Sequence, residues 1–338
     1  MAGGMALSGC NGKAVLVSLV ALLSVIGSFD AAAVIDAKSA PLSNTNAPTD
    51  GSPWLNVGQV NGSSGIYLGD RWALTASHVG YGNLKLAGVI YPYDGINFHL
   101  TNSDGTPTDM FLFHLGAQPP LTNVTLASST PTNGTHVDMI WFGRTAATAQ
   151  TNIGIYTGFY WSGDNQKKSW ANNKVSQNGV VINAGFGNLT TFATRFDQTL
   201  QTSHEGQAAP QDSGGGVFST NVSGGWQLVG MLDATDSETG QPDGTAVYGN
   251  STFSADIATY RNQIISLMTY GAPPALAVSK VGTNINVVWP AAGTGYKLEA
   301  SGILPGTNWT ALTPTLSGQG YTNLPATNAQ RFFRLKKP

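Results

Sequence analysis

Gln211-Asp212-Ser213-Gly214-Gly215-Gly216-Val217-Phe218 is the stretch on which the reading of this chain turns. A hydroxyl stands between a carboxylate and three consecutive glycines, and an apolar run follows at once. Glycines let the backbone fold tightly after Ser213, so amide N–H groups can point at a charge developing beside it. A serine hydroxyl is a poor nucleophile until a neighbouring base accepts its proton. The candidate base lies in Leu74-Thr75-Ala76-Ser77-His78-Val79, a histidine directly after a strand-like run. With an ordinary pKa of ~6.5, its imidazole is mostly neutral near pH 7 and able to serve. The candidate partner for the other ring nitrogen is Asp109, at the head of Met110-Phe111-Leu112-Phe113-His114-Leu115. A buried carboxylate there fixes the tautomer and stabilises the imidazolium. Each segment alone has a plainer reading as a packing histidine, a turn aspartate or a glycine loop. Their order and shared apolar context single them out.

Working outward, the composition is that of many short strands and turns. Charged residues make up 10% of the 338, with 42 Gly and 17 Pro, against about 25% charged in an average soluble domain. A hydrophobic share of 41% excludes disorder of the polar, highly charged kind. The net charge of −2 lacks the basic surface that nucleic acid or an anionic membrane demands, so neither is expected as a partner. Strand-like runs recur between turn residues at Gly65 to Leu68, Trp72 to Thr75, Met110 to Phe113, Val137 to Trp141, Val180 to Ile182 and Gln227 to Met231. Their spacing predicts an all-β barrel or sandwich. From Ser254 to Met268, apolar residues at Ile257, Tyr260, Ile264, Ile265 and Met268 predict an amphipathic helix, with Ser254 and Asp256 as candidate caps.

Lys13, the apolar run Ala14 to Ile26 and the small residues Ala31-Ala32-Ala33 predict an export signal peptide over 1–33. The run is too short to span a bilayer, so no stable membrane insertion is expected after its removal. The single cysteine, Cys10, leaves with it, and the exported chain then has no disulfide. Residues 34–53 read as a linker or propeptide, 54–271 as the domain carrying the chemistry, and 275–338 as a small β-sandwich. His99, His114, His136 and His204 have no mutual ligand spacing, so neither metal nor cofactor is expected. The oligomeric state is not legible.

The three segments, in the order His, Asp, Ser, resemble the chymotrypsin/trypsin-like serine proteases, whose segments read T-A-A-H-C, D-I-A-L-L and G-D-S-G-G. The resemblance covers residues 56 to 270 and includes Ala246-Val247-Tyr248, similar to the family's G-V-Y. It implies two packed six-stranded β-barrels with a C-terminal helix, and an active site in the cleft between the barrels. By motif, His78 is general base and acid, Asp109 the orienting carboxylate and Ser213 the nucleophile. The N–H groups of Gln211 and Ser213 then form the oxyanion hole, and Gln207 lies at the base of the substrate pocket. The expected partner is a peptide or protein substrate, cleaved through an acyl-enzyme. Residues 275–338, ending in Arg331-Phe332-Phe333-Arg334-Leu335, resemble short β-sandwich modules of secreted bacterial proteins.

Several positions depart from the family pattern. Gln211 stands where the family has glycine, and a Cβ tolerates positive φ poorly. Val79 replaces a half-cystine. No activation site precedes Val57-Gly58, so Asp212 needs a partner other than a new N-terminus, a backbone group or an arginine. The neutral Gln207 argues against basic substrates. Asp233 reads either as pocket wall or as a strand-end turn. Two other functions stay open: a pseudoprotease that binds peptide or protein, and a β-rich surface adhesin.

Overall fold

The computed structural model describes residues 35–36, 44–144, 148, 150–161, 167–270, 276–289, 297–304, 308–312, 320–325 and 330–336. The expected signal peptide, 1–33, lies outside the described residues.

A two-residue strand, β1 (Ile35–Asp36), comes first. The first large sheet then follows as β2 (Val57–Val60), β3 (Ser63–Gly69), β4 (Trp72–Thr75), β5 (Leu84–Leu86), β6 (Val89–Tyr91), β7 (Tyr93–Thr101) and β8 (Pro107–Leu115). Their spatial order is β6-β5-β2-β3-β4-β8-β7, an open seven-stranded sheet among the described residues. The strands that follow are β9 (Thr125–Leu126), β10 (His136–Gly143), β11 (Thr151–Ile153), β12 (Tyr156–Tyr160), β13 (Lys167–Asn183), β14 (Asn188–Arg195), β15 (Gly206–Gln207), β16 (Gly216–Thr220), β17 (Trp226–Thr235), β18 (Thr245–Val247) and β19 (Ser251–Asp256); β11, β12 and β18 form a separate three-stranded sheet, and β15 pairs with β1. Of these, β16-β10-β13-β14-β19-β17 closes into a six-stranded ring through the β16–β17 pair, with β9 added alongside β17. The protein is thus mainly β, a half-barrel beside a ring.

Alternation along the strands explains how both sheets find their cores. In β3, Ile66 and Leu68 face the cluster shared with the ring, whereas Tyr67 points into the half-barrel with Ala73, Phe113 and Leu115. In β10, Val137, Met139 and Trp141 fill the ring, and Ile140 faces the shared cluster. Period-two side chains with apolar residues on both faces are what a strand sandwiched between two cores requires.

Helix α1 (Ile257–Tyr270) lays Ile257, Tyr260 and Ile264 on the shared cluster. Ile265, read as part of its stripe, is 38% exposed. Asp256 caps the start, its carboxylate accepting from the Ala258 N–H (3.2 Å) and the Thr259 hydroxyl (2.8 Å). Ser254, the other candidate cap, belongs to β19. Of the segment read as a linker or propeptide, the described residues lie along the ring: β1 pairs with β15, the Trp170 N–H donates to the Asn44 carbonyl (3.1 Å), and the Trp170 indole donates to the Asn46 carbonyl (2.9 Å). Towards the C-terminus, β20 (Ala277–Val281), β21 (Asn284–Val288), β22 (Lys297–Ser301), β23 (Thr310–Leu312), β24 (Gly320–Pro325) and β25 (Phe332–Lys336) form two three-stranded sheets around Val287, Trp289, Leu298 and Leu324.

One buried residue of β3 joins the two large sheets. The Ser64 hydroxyl accepts from the Phe142 N–H (2.8 Å) and donates to the Phe142 carbonyl (3.1 Å). Its N–H donates to the Ser213 carbonyl (3.0 Å), and its own carbonyl accepts from the Thr75 hydroxyl (2.8 Å). Ser64→Ala strands two buried backbone groups of Phe142, so denaturant unfolding should show a loss of about 1–3 kcal/mol. An unchanged midpoint would show that this joint carries no stability.

Candidate active site

Register brings the histidine and the aspartate together. Strands β4 and β8 run antiparallel with Thr75 opposite Phe111. Continuing three residues past Thr75 and two back from Phe111 sets His78 against Asp109. The turn after β4 is closed by the Val79 and Gly80 N–H groups, both donating to the Ala76 carbonyl (3.2 Å each). Asp109 is 1% exposed and accepts three hydrogen bonds: from the Ser77 hydroxyl (2.6 Å), the His78 N–H (3.0 Å) and the His78 ring at Nδ1 (2.7 Å). Burial pushes this carboxyl up, but the His78 ring and Ser77 hydroxyl outweigh it and leave it below its ordinary value. Burial pushes the His78 imidazole down, but the hydrogen bond and charge of Asp109, with the charge of Asp233, hold it above 6.5. The His78 side chain remains 24% exposed.

Ser213 sits on a loop folded by its own amides. Gly215 N–H donates to the Asp212 carbonyl (3.0 Å), Gly214 N–H to the Leu232 carbonyl (2.8 Å) and Leu232 N–H to the Gly215 carbonyl (2.8 Å). Gly214 is at φ +84°, and a Cβ there would stand 2.1 Å from the Ser64 carbonyl oxygen, so the approach requires glycine. Asp212, at 1% exposure, takes a backbone partner, the Ala209 N–H (2.6 Å). Burial pushes its carboxyl well above the ordinary value, which removes the unpaired charge.

Gln211 adopts the conformation expected of a glycine, with φ +80°. Among the described hydrogen bonds, neither the Gln211 nor the Ser213 N–H donates to a protein acceptor. Two unspent donors therefore flank the Ser213 hydroxyl. That hydroxyl donates to the Asp233 carbonyl (3.2 Å) and makes no hydrogen bond with the His78 ring.

Asp233 belongs inside β17 and is no strand-end turn. It is the extra residue of a bulge between Leu232 and Ala234, where the register against β19 shifts. Its carboxylate, the Asp109 carboxylate and the His78 ring each offer an atom within 4.8 Å of the other two. Burial, with the Asp109 charge adding to it and His78 opposing, pushes the Asp233 carboxyl up to about 7. Among the described residues this trio is the group of His, Cys, Asp and Glu that could converge on a cation. A cation would first have to break the 2.7 Å bond between His78 and Asp109.

No protein-family model matches this chain, and no curated protein matches it. Among solved structures the chain is similar to neuropsin, a serine protease expressed in the limbic system of mouse brain: 16% identical, 66% of this chain and 97% of that chain covered, TM-score 0.44. It is also similar to the NS6 protease from murine norovirus 1: 15% identical, 63% and 94% covered, TM-score 0.39.

A cavity of about 180 Å³ opens beside Ser213, lined by Ala208, Ala209, Pro210, Leu232, Asp233 and Ala234 among others. Gln207 is buried one residue before that wall, its amide nitrogen 3.4 Å from the Asn250 side-chain oxygen. It does not line the cavity.

Ser77, Ser64, Asp233 and Phe186 add to the residues found by motif. Ser77 had a signal in its place next to His78, and Asp233 had one only as a candidate pocket wall; Ser64 and Phe186 had none. Phe186, at the tip of the β13–β14 hairpin and 49% exposed, lays its ring 5.1 Å from the His78 ring. Its neighbour Gly187 packs so closely on the Pro107 carbonyl that a Cβ would sit 2.2 Å from the oxygen. The other histidines stand apart, His114 bonded to Asp94 (2.6 Å) and His204 against Trp170.

Because Gln211 carries a Cβ at positive φ, Gln211→Gly should raise stability by ~1 kcal/mol in thermal unfolding. A destabilised variant would show that the Gln side chain holds the loop.

Proposed function

We propose that this chain is an exported serine endopeptidase that cleaves peptide bonds through an acyl-enzyme on Ser213. The observation that carries this reading is the buried Asp109 holding His78 at Nδ1, with Ser213 fixed by Ser64 to the same end of the first sheet. The motif resemblance supplies the substrate class.

The chemistry follows from these groups. In the reacting form the Ser213 hydroxyl leaves the Asp233 carbonyl and hydrogen-bonds His78 Nε2. Such bonds are often loose before substrate binds. Oγ attacks the carbonyl carbon, His78 takes the hydroxyl proton, and Asp109 stabilises the imidazolium. The oxygen that becomes negative is received by the Gln211 and Ser213 N–H groups. His78 then gives its proton to the leaving amine, and a water repeats the sequence to release the acid. The small aliphatic walls at Ala208, Ala209, Leu232 and Ala234 favour an uncharged side chain before the cleaved bond. Among the described residues no helix is long and apolar enough to cross a membrane.

A second reading, a pseudoprotease that binds peptide, draws on the Ser213 hydroxyl bonding Asp233 in place of His78. A fluorophosphonate probe separates the two. Labelling of the wild type that is lost in Ser213→Ala supports hydrolysis. A folded wild type that stays unlabelled supports the binding reading.

Hydrolysis should rise with pH as His78 loses its proton. Asp109 and Asp233 favour the imidazolium, so the midpoint of kcat/KM should lie above 6.5. A flat profile from about pH 5 to 9 would remove His78 as base.

A further inference from the structure

Asp233 takes no part in the proton transfers above, yet it adjoins every group that does. Its backbone carbonyl holds the Ser213 hydroxyl, and its carboxylate lies within 4.8 Å of ligand atoms on both His78 and Asp109. The bulge in β17 re-aims this side chain away from the regular alternation of the strand. It is 7% exposed, and neither carboxylate oxygen has a hydrogen-bond donor. The titratable groups facing it are Asp109 and His78 from the first sheet and the Tyr260 hydroxyl from α1. Two carboxyl groups this close and this buried do not both ionise, so one keeps a proton. Asp109 has three donors and is the ionised member. Asp233 has none.

We propose that Asp233 is a positioning residue which, as the carboxylic acid, donates its proton to the Asp109 carboxylate and holds that carboxylate against His78. This deepens the hydrolase reading of the site and rests on it. The O–H proton stays on Asp233 while His78 cycles. When Asp233 ionises, a second negative charge beside His78 strengthens the imidazole's hold on its own proton. Asp233 and His78 therefore titrate as a coupled pair, and the working form is the one in which His78 is neutral while Asp233 still holds its proton.

The test is an NMR titration of the whole chain carrying ¹³C-aspartate and ¹⁵N-histidine. In the wild type the Asp233 carboxyl carbon should stay in its acid form through mild acid and ionise at about 7. The His78 nitrogens should move in two steps. Asp233→Asn, whose amide donates from the same place but cannot ionise, should leave one step at lower pH. Asp233→Ala, with no donor, should lower kcat about tenfold with little change in KM. An Asp233 carbon that ionises near the ordinary 3.8 overturns the proposal. So does an identical His78 titration in wild type and Asp233→Asn. The wild-type carbon signal decides even if a variant fails to fold. These titrations intact in a protein inert to fluorophosphonate would keep Asp233 as donor to Asp109 and remove the hydrolase reading. Labelling intact without them does the reverse.

Discussion

The site depends on a joint made by one serine. Ser64 binds the Phe142 peptide with its hydroxyl, the Ser213 carbonyl with its N–H and the Thr75 hydroxyl with its carbonyl. The first contact ties the half-barrel to the ring. The second fixes the loop that carries Ser213, and the third links the start of β3 to the end of β4, the strand before His78. Ser64 and Thr75 are buried and their partners partly so, where an unmade hydrogen bond is costly, so the joint tolerates little slip. Gly214 completes it, because any side chain there would collide with the Ser64 carbonyl.

A protein with few charges keeps three carboxyl groups around the candidate site, and burial treats each according to its partners. Asp109 receives three donors and stays ionised. Asp212 receives one backbone N–H, which does not offset complete burial. Asp233 receives none and sits beside a charge of its own sign. The same residue type thus serves as anion, as neutral acid and as proton holder, with hydrogen-bond supply deciding which.

One strained residue and one exposed ring stand at this site. Gln211 holds a backbone conformation that costs a residue with a Cβ about 1–3 kcal/mol, and its reward is an N–H left pointing beside Ser213. Phe186, half exposed, lies with its ring 5.1 Å from that of His78.

The amino-acid sequence alone located several of the strands and the helix and singled out the segments around His78, Asp109 and Ser213, because alternation, helical period and glycine turns are properties of chain neighbours. Strand β4 spans the residues read for it, and Asp256 caps the helix as its position implied. Tertiary structure alone decided the closure of the ring, the docking of residues 44–50 on it, the Ser64 joint and the inward turn of Asp233. Nothing in Leu232-Asp233-Ala234 announces a bulge, and nothing in Ser63-Ser64-Gly65 announces a clasp. Both arise from the register between strands distant in the chain, and register is set by how the two cores fill. The sequence could name His78, Asp109 and Ser213 as chemistry. Only packing could put Asp233 among them, because a carboxyl's role depends on which donors reach it once water is gone.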